Sequence, residues 1–280
     1  FNKDNLLVEV GCGKGSFLKI VKDDGYFNYK GFDAAYEGDD KNIESRYLTN
    51  LDKINADIVV IRHTLEQIKN PHIFLNFLKK IFPHNTLIFI ETPQYNWIDK
   101  NKFLPNFTYE YVNYFTSKSL ITLFSEVYSY GDFFGGQYQY CLAKLSSLNL
   151  EAWRGFNDKN NWKDFDILPF INTFKEKVNN LKVFNRIWLW GGSTKGVLFL
   201  KHLLDYSSSI FNNIVGIIDV NPKKQGLYTP ITKVEILSPS SFYKLCKQDD
   251  LVLVMNPIYI SEIRSSIKSN IKKQVKVLSL

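Results

Sequence analysis

The chain has 280 residues, 45% hydrophobic and 15% aromatic, with a net charge of +7; that supplies apolar material for one or two globular cores. No apolar run approaches the roughly 18 residues of a membrane span, and no charged, apolar, small-residue leader opens the chain, so a cytoplasmic protein without a membrane partner is expected. Lysines are spread among abundant Asn, Ile and Phe, which gives no dense basic patch for nucleic acid while the net charge suits an anionic substrate, and three isolated cysteines, Cys12, Cys141 and Cys246, exclude a four-cysteine zinc cluster and suit a reducing compartment.

The first predicted element is a buried strand, Leu6-Leu7-Val8-Glu9-Val10, which leaves through Gly11-Cys12-Gly13-Lys14-Gly15 into a helix over Ser16-Phe17-Leu18-Lys19-Ile20-Val21. Those glycines expose backbone amides that a ligand can approach. Ser16 stands where a dinucleotide fingerprint G-x-G-x-x-G needs its last glycine, and Glu9 sits two residues before the first. Tyr29-Lys30-Gly31-Phe32-Asp33 gives a second strand. It ends in an acid 22 residues beyond Gly11, near the distance at which a βαβ unit presents a carboxylate to ribose hydroxyls; the alternative reading is a turn cap.

A third strand is placed at Arg46-Tyr47-Leu48. A fourth, over 56–61, is followed after Pro71 by a helix carrying Ile73, Phe74, Phe77, Leu78 and Ile81, and 86–91 returns to the sheet. This alternation predicts an α/β fold with a doubly wound parallel sheet and its ligand at the carboxyl ends of the strands, beside Arg62, His63, Thr92 and Pro93. A loop rich in Asn, Lys and Pro leads to a helix over 118–124 and strands over 127–133 and 138–144.

Residues 146–184 change character, with Phe170, Ile171, Phe174, Val178 and Leu181 at helical spacing, read as a linker helix that packs between domains. A second α/β unit then begins. It has a strand over 186–190, a glycine turn Gly191-Gly192-Ser193-Thr194-Lys195-Gly196, a helix over 197–204 and strands over 213–219, 251–255 and 275–278. This turn lacks the G-x-G core, so independent nucleotide binding there is not expected.

Glu9, Gly11, Gly13, Gly15 and Asp33 together resemble motif I of class I S-adenosylmethionine-dependent methyltransferases. Ile61-Arg62-His63-Thr64-Leu65-Glu66-Gln67-Ile68 with Asn70-Pro71, and Ile90-Glu91-Thr92-Pro93, resemble the fourth- and fifth-strand signatures of many small-molecule methyltransferases. Tyr109-Glu110-Tyr111-Val112-Asn113-Tyr114-Phe115 and Phe134-Gly135-Gly136-Gln137 are similar to segments around the substrate site of nucleotide-sugar C-methyltransferases. Gly191 to Gly196, Asp219-Val220-Asn221-Pro222-Lys223-Lys224-Gln225-Gly226, Tyr228-Thr229-Pro230 and Asn256-Pro257 before Glu262-Ile263 are similar to that family's accessory domain. The resemblance covers nearly the whole chain.

The resemblance implies a Rossmann-like methyltransferase domain over 1–145, a helical linker over 146–184 and a smaller Rossmann-like accessory domain over 185–280. It implies S-adenosyl-L-methionine as cofactor, held by Glu9, Gly11, Cys12, Gly13, Gly15 and Asp33. The acceptor it implies is a small molecule, a nucleotide-linked keto sugar, bound by Tyr109, Tyr114, Gly135, Gly136, Gln137, Lys195 and Asn256. No metal is expected, because the sulfonium is already a good leaving group. In that family the sugar loses the proton next to its carbonyl and the enolate attacks the methyl group, with a Glu-His pair supplying the base. Glu110 is present, but Tyr111 stands where the histidine is expected. A phenol with pKa near 10 is about three units from ionised at neutral pH, a cost of roughly 4 kcal/mol. The catalytic candidates are therefore Tyr111, Glu110 and, from the end of its strand, His63.

The sequence departs from the family further on. Gln139 occupies the region of an arginine that often follows the Gly-Gly pair, and the family's zinc module is absent. Only Asn2 to Asn5 precede the first strand, so the chain is expected to begin inside a longer protein. Methylation of oxygen or nitrogen stays open, as do a nicotinamide-dependent oxidoreductase using the glycine turns and a non-catalytic remnant. The cluster Tyr109, Tyr111, Tyr114 and Phe115 also reads as core, His72, His84 and His202 as surface or capping residues, and Lys223 and Lys224 as solvated turn residues.

Overall fold

The strand β1 (Leu7–Val10) is buried along its whole length, as a parallel strand covered on both faces must be. Around it lie β2 (Tyr29–Phe32), β3 (Ile43–Glu44), β4 (Ile58–Arg62), β5 (Leu87–Pro93), β6 (Val127–Phe133) and β7 (Tyr138–Lys144). In this computed structural model, which describes residues 2–151 and 165–280, they form one sheet in the order β3-β2-β1-β4-β5-β7-β6. The first five pair in parallel. The expected parallel sheet then ends differently, because β7 runs antiparallel between β5 and β6. Phe134, Gly135 and Gly136, at φ of +53°, +64° and +83°, close the short β6–β7 turn that only antiparallel neighbours can use.

The third strand is Ile43–Glu44 rather than 46–48. Arg46 turns off the sheet edge, pairing with Glu44 at 2.7 Å and Asp52 at 2.8 Å and lying over the Phe32 ring. The helices α1 (Ser16–Asp23) and α2 (Pro71–Ile81) occupy their expected places, and α2 starts at its proline and buries Leu75, Leu78 and Ile81. The segment read as a loop contains α3 (Tyr95–Asn101), whose one buried residue, Ile98, gives no periodic signal. A Thr116–Ser119 capping box starts α4 (Ser117–Ile121), which stops three residues short of the expected end as the chain tightens into a Leu123 N–H to Leu120 carbonyl bond.

The described residues fall into two compact units, with 101–108 grouped with the residues from Asp166 onward. The second unit contains α5 (Leu168–Asn179), β8 (Ile187–Trp190), α6 (Thr194–Tyr206), α7 (Ser208–Phe211), β9 (Ile214–Ile218), β10 (Ile236–Leu237), α8 (Pro239–Leu245), β11 (Leu251–Val254), α9 (Ile260–Asn270) and β12 (Lys276–Ser279). Its five strands are all parallel, in the order β10-β9-β8-β11-β12; β10 is too short to have been read from the sequence. Within this unit α5 meets Phe107 through Phe170 and Phe199 through Phe174, with ring centroids 5.0 and 5.7 Å apart. Residues 152–164 of the expected linker lie outside the described residues. His202 is not a surface cap, since its ring packs edge-on against Phe174. Charge is less even in space than along the chain. Arg264, Lys268, Lys272, Lys273 and Lys276 line one groove of about 630 Å³.

Asp250, 2% exposed, anchors the centre of the second sheet. It accepts from Trp188 Nε1 at 2.7 Å, Arg186 Nε at 2.9 Å and the Lys247 amide at 2.9 Å. Asp250→Ala strands a buried indole N–H and a guanidinium, and is expected to destabilise this unit by about 3 kcal/mol. Urea unfolding followed by tryptophan fluorescence measures it, and a midpoint equal to the wild type would contradict the assignment.

Candidate functional site

At the carboxyl end of β1 the chain turns through Gly11, Gly13 and Gly15 at φ of +77°, +54° and +72°. A Cβ at Gly11 would lie 2.3 Å from Thr64 Oγ1 and one at Gly15 2.5 Å from Ile43 Cδ1, whereas Gly13 faces open space. The Gly11 amide donates to the Phe32 carbonyl and the Gly13 amide to Asp33 Oδ2, each at 2.8 Å. Asp33 Oδ1 accepts from the Ala35 amide at 2.8 Å. Asp33 therefore caps its own loop and also clasps the glycine turn to the end of β2. Cys12 packs inward near Leu18 and Tyr29, and burial, with Glu9 and Asp33 nearby, pushes its thiol up to about 12. The turn, Asp33, Arg46, Arg62 and His63 border a cavity of about 960 Å³.

Charged side chains gather where β4 and β5 end. Glu91 accepts from Arg62 Nε at 2.7 Å and from His63 Nε2 at 2.9 Å. Burial would raise this carboxyl, but those two hydrogen bonds overcome it and leave Glu91 below its ordinary range. His63 has left-handed backbone, φ +50°, and is held from several sides. Its amide donates to the Glu91 carbonyl at 3.0 Å, its carbonyl accepts from Gln67 Nε2 at 2.9 Å, and its ring meets the edge of Tyr138 at 4.9 Å. Such strain persists where the surroundings over-determine it. Thr92, expected beside the ligand, is fully buried instead.

Two more acids lie beneath this cluster. Glu9 is 3% and Glu66 1% exposed. Burial pushes both carboxyls up to about 7; Glu91 raises both further, while His63 opposes the shift in both and Arg62 opposes it at Glu9. Glu9 Oε2 and both Glu66 oxygens have no hydrogen-bond partner. The sequence alone assigns no role to Glu66 or Glu91. The available signal was an acid directly following an apolar residue at the end of each of two buried strands or the turn beyond.

The acceptor-side candidates divide. Tyr111 is half-buried, and burial followed by the Glu66 charge pushes its phenol above the ordinary range, so it is a neutral hydroxyl at physiological pH. The Val112 and Asn113 amides donate to the Glu66 carbonyl at 2.9 and 3.0 Å, pinning Tyr111 beside that acid. Tyr114 meets both Tyr111 and Tyr95 through ring edges. Phe115 is buried, Glu110 is exposed and Tyr109 is 91% exposed, so the aromatic run does not act as one cluster. Gly135 and Gly136 form the β6–β7 turn, and Gln137 is buried behind it with its carbonyl accepting from the Gln94 amide at 3.0 Å. Gln139 Nε2 donates to the Phe115 carbonyl at 2.7 Å, tying the segment to β7.

Lys195 and Asn256 belong to the second unit. Lys195 lies over the Phe103 ring at 5.5 Å, and burial lowers its ammonium to about 8. Asn256 caps a short turn by accepting from the Ile258 amide. The second glycine turn repeats the first clasp, with the Gly192 amide donating to Asp219 Oδ2 at 2.9 Å. Here Lys224, expected to be solvated, binds Asp219 Oδ2 at 3.1 Å and Ser193 Oγ at 2.5 Å.

Raised carboxyls make stability depend on pH. Between the ordinary 4.5 and about 7 the folded chain holds protons on Glu9 and Glu66 that the unfolded chain releases, so stability falls as pH rises through that window. Asp40 and Asp52, held low by hydrogen bonds, act in the opposite sense at more acid pH. Glu66→Gln keeps the shape without the charge. It is expected to melt above the wild type at pH 8, by at most about 3 kcal/mol, and level with it near pH 4.5. Calorimetry at the two pH values decides this.

Residues 1–127 match the family described as a methyltransferase domain, and residues 143–279 match the C-methyltransferase C-terminal domain. No curated protein matches the chain. Among solved structures, a SAM-dependent methyltransferase from Archaeoglobus fulgidus shares 17% identity over 50% of this chain and 86% of its own, with a TM-score of 0.37. One from Anabaena variabilis shares 18% over 51% and 78%, at 0.39. The plantazolicin methyltransferase BpumL, solved with SAH, shares 16% over 50% and 76%, at 0.38. These likenesses concern fold alone and are slight, whereas the two sequence-family matches together reach nearly every residue. The chain carries a methyltransferase domain followed by a C-methyltransferase C-terminal domain, with S-adenosylmethionine as its cofactor.

Proposed function

We propose that this methyltransferase acts on carbon, next to the carbonyl of a nucleotide-linked keto sugar. The observation that carries the reading is the C-methyltransferase C-terminal domain over 143–279, joined to a strand-end histidine ordered by Glu91 at the cavity wall. S-adenosylmethionine supplies a methyl group on a sulfonium, whose sulfur departs as a neutral thioether. The residues present fit that cofactor. Gly13 leaves open space before the turn, Asp33 reaches the same cavity to meet ribose hydroxyls, and the unpartnered Glu9 Oε2 can accept from an ammonium group. Gly11 and Gly15 shape the turn, and Cys12 supplies its packing.

On the acceptor side His63 is the better base, because Glu91 orders it while Tyr111 is held neutral. Tyr111 is then a hydrogen-bond donor to the acceptor's oxygen, and Tyr114, Gly135, Gly136 and Gln137 shape that wall. Glu110 remains a catalytic candidate and Tyr109 a substrate-binding one, while Lys195 and Asn256 remain substrate-binding candidates of the second unit taken by itself. Transfer to oxygen or nitrogen is the second reading, favoured by the tyrosine at position 111, since heteroatoms need less help to lose a proton.

Methyl-tritiated cofactor offered with keto-sugar nucleotides and with hydroxylated or amine acceptors separates the two. Label is expected on carbon, with loss of the deuterium placed next to the carbonyl. Label on a heteroatom alone would end the carbon reading. Asp33→Ala is expected to weaken SAH binding at least tenfold by calorimetry, since each lost charge-assisted hydrogen bond costs about 1.5–3 kcal/mol. Unchanged affinity would remove Asp33 from the cofactor site.

A further inference from the structure

We propose that Glu66 is the proton-holding partner of His63 in the acceptor site, a positioning residue that acts through the imidazole Nδ1 rather than on the acceptor. This deepens the reading of His63 as base and rests on it for the identity of the site.

Three features of the geometry converge. The two ring nitrogens of His63 face two different carboxyls, Nε2 towards Glu91 at 2.9 Å and Nδ1 towards Glu66 Oε1 at 3.8 Å. Glu91 is already satisfied by Arg62 and His63, and its acceptance from Nε2–H leaves Nδ1 with its lone pair. Glu66 is different. It is 1% exposed, and neither of its oxygens has a hydrogen-bond partner, a costly arrangement for a carboxyl whose role is only to pack. Its backbone carbonyl, meanwhile, holds Val112 and Asn113, so the segment carrying Tyr111 is fixed to the residue that faces the base.

Charge counting supports the assignment. With Glu66 ionised, uptake of one proton by His63 makes a neutral group of four, two cations (Arg62, His63) and two carboxylates (Glu66, Glu91). Without Glu66 the same uptake leaves an uncompensated positive charge in a poorly solvated place. As the acceptor's bond to hydrogen breaks, its electron pair stays on the acceptor and forms the bond to the methyl carbon. The proton enters at Nδ1 and passes to a Glu66 oxygen, which returns His63 to its neutral form. Glu66, now a carboxylic acid, gives the proton to water when product leaves. The titratable groups facing Glu66 are His63 from just beyond β4, Glu91 from β5 and Tyr111 from the segment beyond α3. Burial raises the Glu66 carboxyl to about 7, suited to accepting and releasing a proton near neutrality.

Protein labelled with 13C at glutamate carboxyls tests this without any acceptor. The resonance missing from Glu66→Gln, or from Glu66→Asp should the first variant not accumulate, belongs to Glu66. It is expected to titrate near pH 7 and to move upward by about half a pH unit or more in His63→Asn, because the His63 ring beside it favours the carboxylate. A midpoint in the ordinary range near 4, or one indifferent to His63→Asn, overturns the proposal. On any acceptor that takes label, Glu66→Gln is expected to lower kcat at least tenfold, remove the neutral inflection from the pH–rate profile and leave SAH affinity within twofold; an unchanged kcat and profile also overturn it. Because the carboxyl titration needs no substrate, a wrong acceptor class and a wrong role for Glu66 give different results.

Discussion

The Glu91 carboxylate holds the candidate site together. It lies 5% exposed, accepts from both Arg62 and His63, and its own backbone carbonyl receives the His63 amide. The parallel register that sets Arg62 opposite Glu91 decides this. One residue of slippage would turn every side chain of β4 to the other face and separate the pair. The apolar strand interiors Val59 to Ile61 and Ile88 to Ile90 therefore set the register, and the register places the charges. Chemistry at the strand ends is a consequence of packing in their middles.

Much of the framework was legible because its elements bury continuous apolar runs or sharp glycine turns. β1, β4, β5, β8, β9 and β11 come straight from such runs, and the β6 and β7 boundaries match the expectation residue for residue. The illegible parts are those in which side-chain partners, rather than periodicity, decide the backbone. β3 is two residues long because Arg46 finds Glu44 and Asp52. α3 carries mostly polar residues. The antiparallel insertion of β7 is a matter of topology that a strand's own sequence does not encode.

The site shows the same division. Glycines 11, 13 and 15 with Asp33 are local, and their spacing announces a turn and a clasp. The cluster of Glu9, His63, Glu66, Glu91 and Tyr111 is assembled from four separate stretches, and nothing in the order of residues says that Tyr111 sits within reach of Glu66. Burial first, and then the Glu66 charge, keep Tyr111 a neutral hydroxyl rather than a base. Lys224 is the equivalent case in the second unit, where a lysine in a turn is tied by its ammonium to an acid five residues back.

The repeated clasp has a consequence in terms of competition. Asp33 and Asp219 are presented alike, each accepting from a glycine amide and from its own loop. A ligand hydroxyl seeking Asp219 must displace an ammonium tethered to the same loop, whose effective concentration is on the order of millimolar or above. Among the described residues no lysine or arginine is paired with Asp33. The chain thus fills one of its two clasps from within and leaves the other to whatever arrives by diffusion.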